Sequence, residues 1–304
     1  MRLGDKGADV QEMQESLLAS GQKLPKYDAD GDYGQETLAA VRSFQFEKGL
    51  SRAANDGVIS DETLDALGWD APEDPSVPGI PTRRYEGVKC YDLREEPWED
   101  RVAKKFKRHG GVPVVRDPAQ VTGITIHQTA AKYGVVPYQI QAAGGDAELA
   151  LARRSLRVAC HVMAFHKGFI AWPNNLEDYV YHGNGFNAFE LGLEIDGNYP
   201  GAEGGKTWNN KKPTKVTPEV IRSACAAIEL MVVEGREMGM PIEYIHAHRQ
   251  SSNTRRDDPG EELWRTVVLG YAVPILGLKT EPARTIGKGQ PVPRDWDPRG
   301  VGRY

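Results

Sequence analysis

The chain has 304 residues, with 38 Lys and Arg against 43 Asp and Glu, a net charge of −5 and a hydrophobic fraction of 39%. This length points to about two domains, and the acidic balance argues against nucleic acid as the main partner, because phosphate binding needs basic patches. No apolar run approaches the ~20 residues of a membrane span, MRLGDKGADV lacks the apolar core of a secretory signal, and Cys90, Cys160 and Cys225 are an odd set with no CxxC spacing, which argues against a disulfide framework.

Residues 1–68 read as a small helical unit, with 7 Lys and Arg against 13 Asp and Glu in the first 69 residues. Asp9 to Glu12 has the spacing of a capping box. Val10, Met13, Leu17 and Leu18 then form one apolar face at helical spacing. A second helix is expected from about Gln35 to Lys48 and a third over about Asp61–Leu67, capped by Ser60. The stretch Asp30-Gly31-Asp32-Tyr33-Gly34-Gln35-Glu36-Thr37-Leu38 recurs as Asp56 to Leu64, each copy a glycine turn feeding a helix start. This pattern resembles the peptidoglycan-binding domain of bacterial and phage cell-wall hydrolases. The resemblance implies an all-α three-helix fold and a sugar-binding groove near Tyr33, Gln35 and Phe44.

Residues 69–84, WDAPEDPSVPGIPTRR, read as a semi-rigid proline linker. In the lead-in segment 85–120, Glu99 to His109 is expected to form a short basic helix. A second domain is expected over 121–278. Gly123 to Ile126, Cys160 to Phe165, Phe169 to Trp172, Leu191 to Ile195 and Ile242 to His246 read as strands. Residues 146–157, Thr217 to about Met238 and Glu261–Leu269 read as helices, the second with a capping hydroxyl and Pro218 at its first position. Strands alternating with helices predict an α/β domain, a central mixed sheet flanked by helices. The tail 279–304 is rich in proline and glycine without periodicity. It is expected either to wrap the domain or to be mobile.

Seven histidines are available. A hydrolytic zinc site needs three protein ligands and an open position for water. His127 ends a strand, His248 follows one, and Asp258 precedes a Pro-Gly turn that can return its carboxylate toward His248. His246 competes with His248, because both point the same way in a strand, and Asp257 competes with Asp258.

The motifs GITIHQTA, CHVMAFHKGFIAW, ELGLEIDGN and HRQSSNTRRDDPG, in this order, resemble the type-2 N-acetylmuramoyl-L-alanine amidases over roughly residues 121–270. That superfamily includes phage lysozyme-like amidases, bacterial anhydro-muramyl amidases and peptidoglycan recognition proteins. The resemblance implies one zinc ion on His127, His248 and Asp258. It implies Glu194 as general base and Arg256, in the place of a lysine, as the oxyanion cation. His182 is expected to line the substrate cleft and His161 to support it. Gln128 stands where many relatives have a second histidine or a small polar residue. Cys160 stands where the phage branch carries a catalytic tyrosine, so that role does not transfer; Cys160 and Cys225 read as buried small apolar residues.

The implied function is cleavage of the amide between N-acetylmuramic acid and the stem-peptide L-Ala. The alternatives are a non-catalytic peptidoglycan receptor and a zinc peptidase acting on the stem peptide. Peptidoglycan is the expected partner and a monomer the expected state. Without a signal, the protein is expected to reach the wall by release or delivery, as a phage endolysin or a secreted effector does.

Overall fold

Two buried glutamines explain the repeat in the first domain. In the computed structural model, Gln14 accepts a hydrogen bond from the Gly31 amide (2.7 Å) and donates to Thr37 Oγ1 (2.9 Å). Gln45 accepts from the Gly57 amide (3.0 Å) and donates to Thr63 Oγ1 (3.0 Å). Each side chain thus ties one helix to the glycine turn and the threonine that follow it. Gly31 and Gly57 both have positive φ, 74° and 83°, which a glycine adopts without steric penalty. The repeated residues are visible in the sequence; the glutamines that read them are not part of the repeat.

The structure describes residues 1–50, 57–59, 63, 66–67, 82–85, 87–96, 105–109, 112–201, 207 and 211–302. The chain divides into two compact units, one of Met1–Pro75 with Arg84–Gly87 and a second of Ser76–Arg83 with Val88–Tyr304. In the first, α1 (Ala8–Ala19) and α2 (Gln35–Glu47) enclose a core that includes Val10, Met13, Leu17, Val41 and Phe44. The cap of α1 is Gly7, with no side-chain hydrogen bond, rather than the expected Asp9. Most of the expected third helix and of the proline linker lies outside the described residues.

The second unit is built on a mixed sheet. After β1 (Thr82–Tyr85), which runs across the division at Arg84, its strands are β2 (Val88–Asp92), β5 (Gly123–Gln128), β6 (Val162–Ala164), β7 (Ile170–Trp172), β8 (Glu190–Ile195) and β9 (Tyr244–Ala247), in the spatial order β2-β7-β6-β8-β5-β9. A separate pair, β3 (Arg108–His109) and β4 (Val112–Pro113), runs antiparallel. Here the expected basic helix fails at its described end, because Phe106 bridges Val180 and 108–109 pair with β4. β5 runs parallel to both β8 and β9, β6 parallel to β8, and β6 antiparallel to β7. Such centrally placed parallel strands are buried on both faces; every residue of β5 is buried.

Helices and a tail complete the unit. The short helices α3 (Pro137–Ala142), which the sequence reading missed, and α4 (Ala147–Ala152) pack with Tyr91, Met163, Phe165 and Phe169. Helix α5 (Pro218–Glu237) starts as expected, with the Thr217 side chain accepting from the Val220 amide and Pro218 in the first turn. It packs against β6, β7 and β8. α6 (Glu261–Leu263) continues as a π-helical stretch, Trp264–Ala272. Residues 279–302 are folded: Trp296 is buried, and Lys279 bridges Tyr244 at the edge of β9. Cys90, Cys160 and Cys225 are buried and form no disulfide. Among the described residues no helix is long and apolar enough to cross a membrane.

Candidate metal centre

Register builds the site. His127 on β5 lies opposite Glu194 on β8, which lies opposite Met163 on β6. Paired residues project to the same side of a sheet, so His127 and Glu194 share a face near the carboxyl ends of two parallel strands. Ligands of open α/β sheets gather at those ends. β9 ends at Ala247, and His248 begins a tight 3-10 turn, His248–Ser251. That change of backbone separates the two competing histidines.

His246 stays in the strand. Its Nδ1 meets Glu190 Oε1 at 2.6 Å, its Nε2 meets Glu281 Oε2 at 3.3 Å, and its ring stacks on Phe186. His248 turns toward His127, with ring centroids 4.3 Å apart. Its Nδ1 faces Asp258 Oδ2 across 2.9 Å, while Asp258 Oδ1 accepts from the Gln128 amide at 2.8 Å. Candidate ligand atoms of His127, His248 and Asp258 all lie within 4.8 Å of one another. Asp257 is buried but outside this group.

The donor set fits a small divalent ion. His127 Nδ1 is buried and has no hydrogen-bond partner among the described residues. A bare ring nitrogen in the interior is costly unless something binds it. Two imidazoles and one carboxylate are a zinc-type set. Burial, and then the neighbouring His248 and His182, hold the His127 pKa well below the usual histidine range, so the ring is neutral and able to ligate.

The three residues are braced by others. Gln128 accepts from the Tyr199 amide (2.5 Å) and donates to the carbonyls of Tyr199 (2.9 Å) and Asp257 (2.8 Å), which pins the Asp258 segment to the end of β5. His182 lies beside His127 because Gly192 leaves space for it: a Cβ on Gly192 would lie 2.5 Å from His182 Cγ. The Gly192 amide donates to His161 Nδ1 at 2.8 Å. The ring of His161 is therefore neutral, with its Nε2 facing the Asp178 carbonyl at 3.0 Å.

A cleft of about 270 Å³ opens over the cluster; its walls include Lys105, Tyr133, His182, Glu194, His248, Arg255 and Asp258. Glu194 Oε2 is buried without a hydrogen-bond partner among the described residues. Burial, and then the charge of Asp258, push its carboxyl well above the usual range, with Arg255 and Lys105 pulling the other way. Arg255 lines the cleft, whereas Arg256 is exposed and absent from its walls. Sequence reasoning missed Lys105 and Arg255; only the fold decides which of two adjacent arginines faces inward.

In the first unit the expected sugar-contacting aromatics are corrected. Tyr33 is 0% and Phe44 1% exposed. The Tyr33 hydroxyl donates to the Gly57 carbonyl at 2.7 Å. Both belong to the core and present no face to a ligand. Gln35 is exposed, and the exposed aromatics nearby in sequence are Tyr27 (56%) and Phe46 (77%).

Comparison with known proteins gives two family matches. Residues 6–67 match the putative peptidoglycan binding domain, and residues 117–261 match the N-acetylmuramoyl-L-alanine amidase domain. The N-acetylmuramoyl-L-alanine amidase CwlL of Bacillus licheniformis is 37% identical over 68 residues, 22% of this chain and 19% of the relative. A probable N-acetylmuramoyl-L-alanine amidase of the same organism is 42% identical over 67 residues, 22% of this chain and 18% of the relative. The chain thus matches less than a fifth of the length of these curated relatives. The crystal structure of a Burkholderia AP3 phage endolysin is 39% identical over 25% of this chain and 27% of that one, with a TM-score of 0.20. Residues 117–261 accordingly belong to the N-acetylmuramoyl-L-alanine amidase family, and residues 6–67, ahead of them, to the putative peptidoglycan binding family.

Proposed function

We propose that the chain is a peptidoglycan hydrolase that cleaves the amide between N-acetylmuramic acid and the L-alanine of the stem peptide. The observation that carries this is the convergence of His127, His248 and Asp258 within 4.8 Å, next to a cleft lined by His248, Asp258 and Glu194, whose Oε2 has no hydrogen-bond partner among the described residues. His127, His248 and Asp258 would hold one zinc ion. Zinc there would polarise the scissile carbonyl and acidify the attacking water.

The chain's own groups do the rest. Glu194 takes a proton from the attacking water and passes it to the leaving nitrogen of L-Ala, so one carboxylate serves both half-steps. Its raised pKa matches that shuttling role better than an ordinary surface carboxylate would. Arg255, on the cleft wall, faces the carbonyl oxygen as it gains charge; this role passes from Arg256 to its neighbour. His182 holds the His127 ring. In the first unit, Gln35 and the exposed rings of Tyr27 and Phe46 are the surfaces offered to the polymer. Tethering by that domain raises the substrate concentration at the catalytic one. The protein works as a monomer on the wall, after release or delivery.

The test uses purified peptidoglycan and product analysis. The expected result is intact stem peptides with new L-Ala amino ends, abolished by chelator and by His127→Ala. Identical products with and without chelator overturn the zinc reading. Wall binding without release selects a receptor, and new ends elsewhere in the stem select a peptidase.

A further inference from the structure

Residues 279–297 lie beyond the 117–261 family match, yet they hydrogen-bond repeatedly to the His248 turn. Lys279 first extends the edge of β9: its amide donates to the Glu243 carbonyl (2.8 Å), and its carbonyl accepts from the Ile245 amide (2.9 Å). The chain then crosses the turn. The Ile286 amide donates to the Gln250 carbonyl (2.8 Å) and the Gln290 amide to the Arg249 carbonyl (2.7 Å). The fully buried Gln250 side chain donates to the carbonyls of Glu281 (2.8 Å) and Arg284 (2.9 Å) and accepts from the Ala247 amide (2.8 Å). Farther along, buried Trp296 lies under the Arg249 guanidinium, 4.9 Å from the ring centre.

The tightest approach is at Gly289. A Cβ there would sit 1.8 Å from the Gln250 carbonyl oxygen and 2.7 Å from the Ser251 nitrogen. Gly289 is not among the glycines of positive φ, so space alone, not backbone conformation, excludes a side chain. His248 sits two residues before Gln250 in the same turn. A displacement of the crossing segment therefore moves the turn that aims the imidazole.

We propose that residues 279–297 form a strap that presets His248 for metal binding, with Gly289 and Gln250 as positioning residues that touch neither metal nor substrate. This rests on the reading of His127, His248 and Asp258 as a zinc site. Groups that orient ligands change metal affinity by about 10- to 100-fold when lost. A segment that merely adds stability would lower the melting temperature and leave affinity for zinc alone.

The experiment is a zinc titration against a competing chromophoric chelator on the full chain, with wild type, Gly289→Ala and the exposed control Lys288→Ala. Gly289→Ala is expected to bind zinc about 10- to 100-fold more weakly, and Lys288→Ala to match wild type. Amide hydrogen exchange on metal-free wild type supplies a measurement independent of any variant's folding. The amides of Ile286 and Gln290 are expected to be protected before zinc is added. Unchanged affinity in Gly289→Ala, or free exchange of those two amides, overturns the strap. If wild type itself binds no zinc, the metal reading falls first.

Discussion

His182 Nδ1 lies 3.1 Å from His127 Nε2, and His182 Nε2 lies 3.1 Å from the Glu190 carbonyl. A carbonyl only accepts, so His182 Nε2 carries the hydrogen. Burial, and then the Arg116 charge, lower the His182 pKa to about 3, so the ring is neutral and its Nδ1 is bare. That nitrogen accepts from His127 Nε2–H, which leaves His127 Nδ1 without a hydrogen and free to bind a metal. His182→Leu removes the acceptor. It is expected to weaken zinc binding about 10- to 100-fold, as losses behind a ligating histidine do. Chelator competition on the folded variant checks this, and equal affinity would show that the tautomer is fixed elsewhere.

Glu194 should separate chemistry from metal binding. Glu194→Gln keeps the shape and removes the base, so zinc content is expected to stay at the wild-type level while turnover falls on the order of 10²- to 10⁴-fold. A base works only when deprotonated. Burial and Asp258 raise the Glu194 pKa, so wild-type activity should fall on acidification at a pH above the ordinary carboxylate range. Zinc content measured beside a pH–rate profile tests both halves. A variant that loses zinc as well as rate would make Glu194 part of the metal site instead.

The two arginines make a paired prediction. Arg255 lines the cleft and Arg256 is exposed. Arg255→Ala is expected to cost about 10²-fold in kcat, the scale for one group lost from an oxyanion site, with little change in KM. Arg256→Ala should be near wild type. The reverse order in steady-state kinetics on soluble muropeptides would return the role to Arg256.

Much of the site was legible because backbone pattern carries it. Alternating β-branched residues place His127 at a strand end, and Asp-Pro-Gly marks the turn that returns Asp258. What the sequence hid depends on packing between distant segments. His182 occupies the gap left by Gly192, a relation that spans two elements and follows no period. Tyr33 and Phe44 have the composition of a sugar-binding groove and the burial of a core, and spacing cannot separate these. Arg255 and Arg256 differ only in which way an irregular loop turns. The strap has no hydrophobic period; Gly289 and the backbone groups of 279–290 hold it, and such hydrogen bonds leave little trace in side-chain pattern.

Acid stability supplies the last prediction. His161 and His182 are buried and neutral; burial, and then Arg116, push both pKa values down, that of His182 to about 3. The unfolded chain takes up protons at these rings below about pH 6.5, while the folded chain does not. The unfolded state then binds more protons, so stability rises with pH in this window and is lost as pH falls through the unfolded value. At pH 5 the His182 ring contributes on the order of 2 kcal/mol to that loss, and His161 adds in the same direction. Carboxylates also titrate toward acid, so the slope of wild type alone does not identify the histidines. The comparison is urea unfolding of metal-free wild type and His161→Gln between pH 7.5 and pH 5. The variant has no ring to protonate, so it is expected to start less stable at pH 7.5 and to lose less on acidification. Parallel curves for the two proteins would mean that His161 takes up its proton without unfolding.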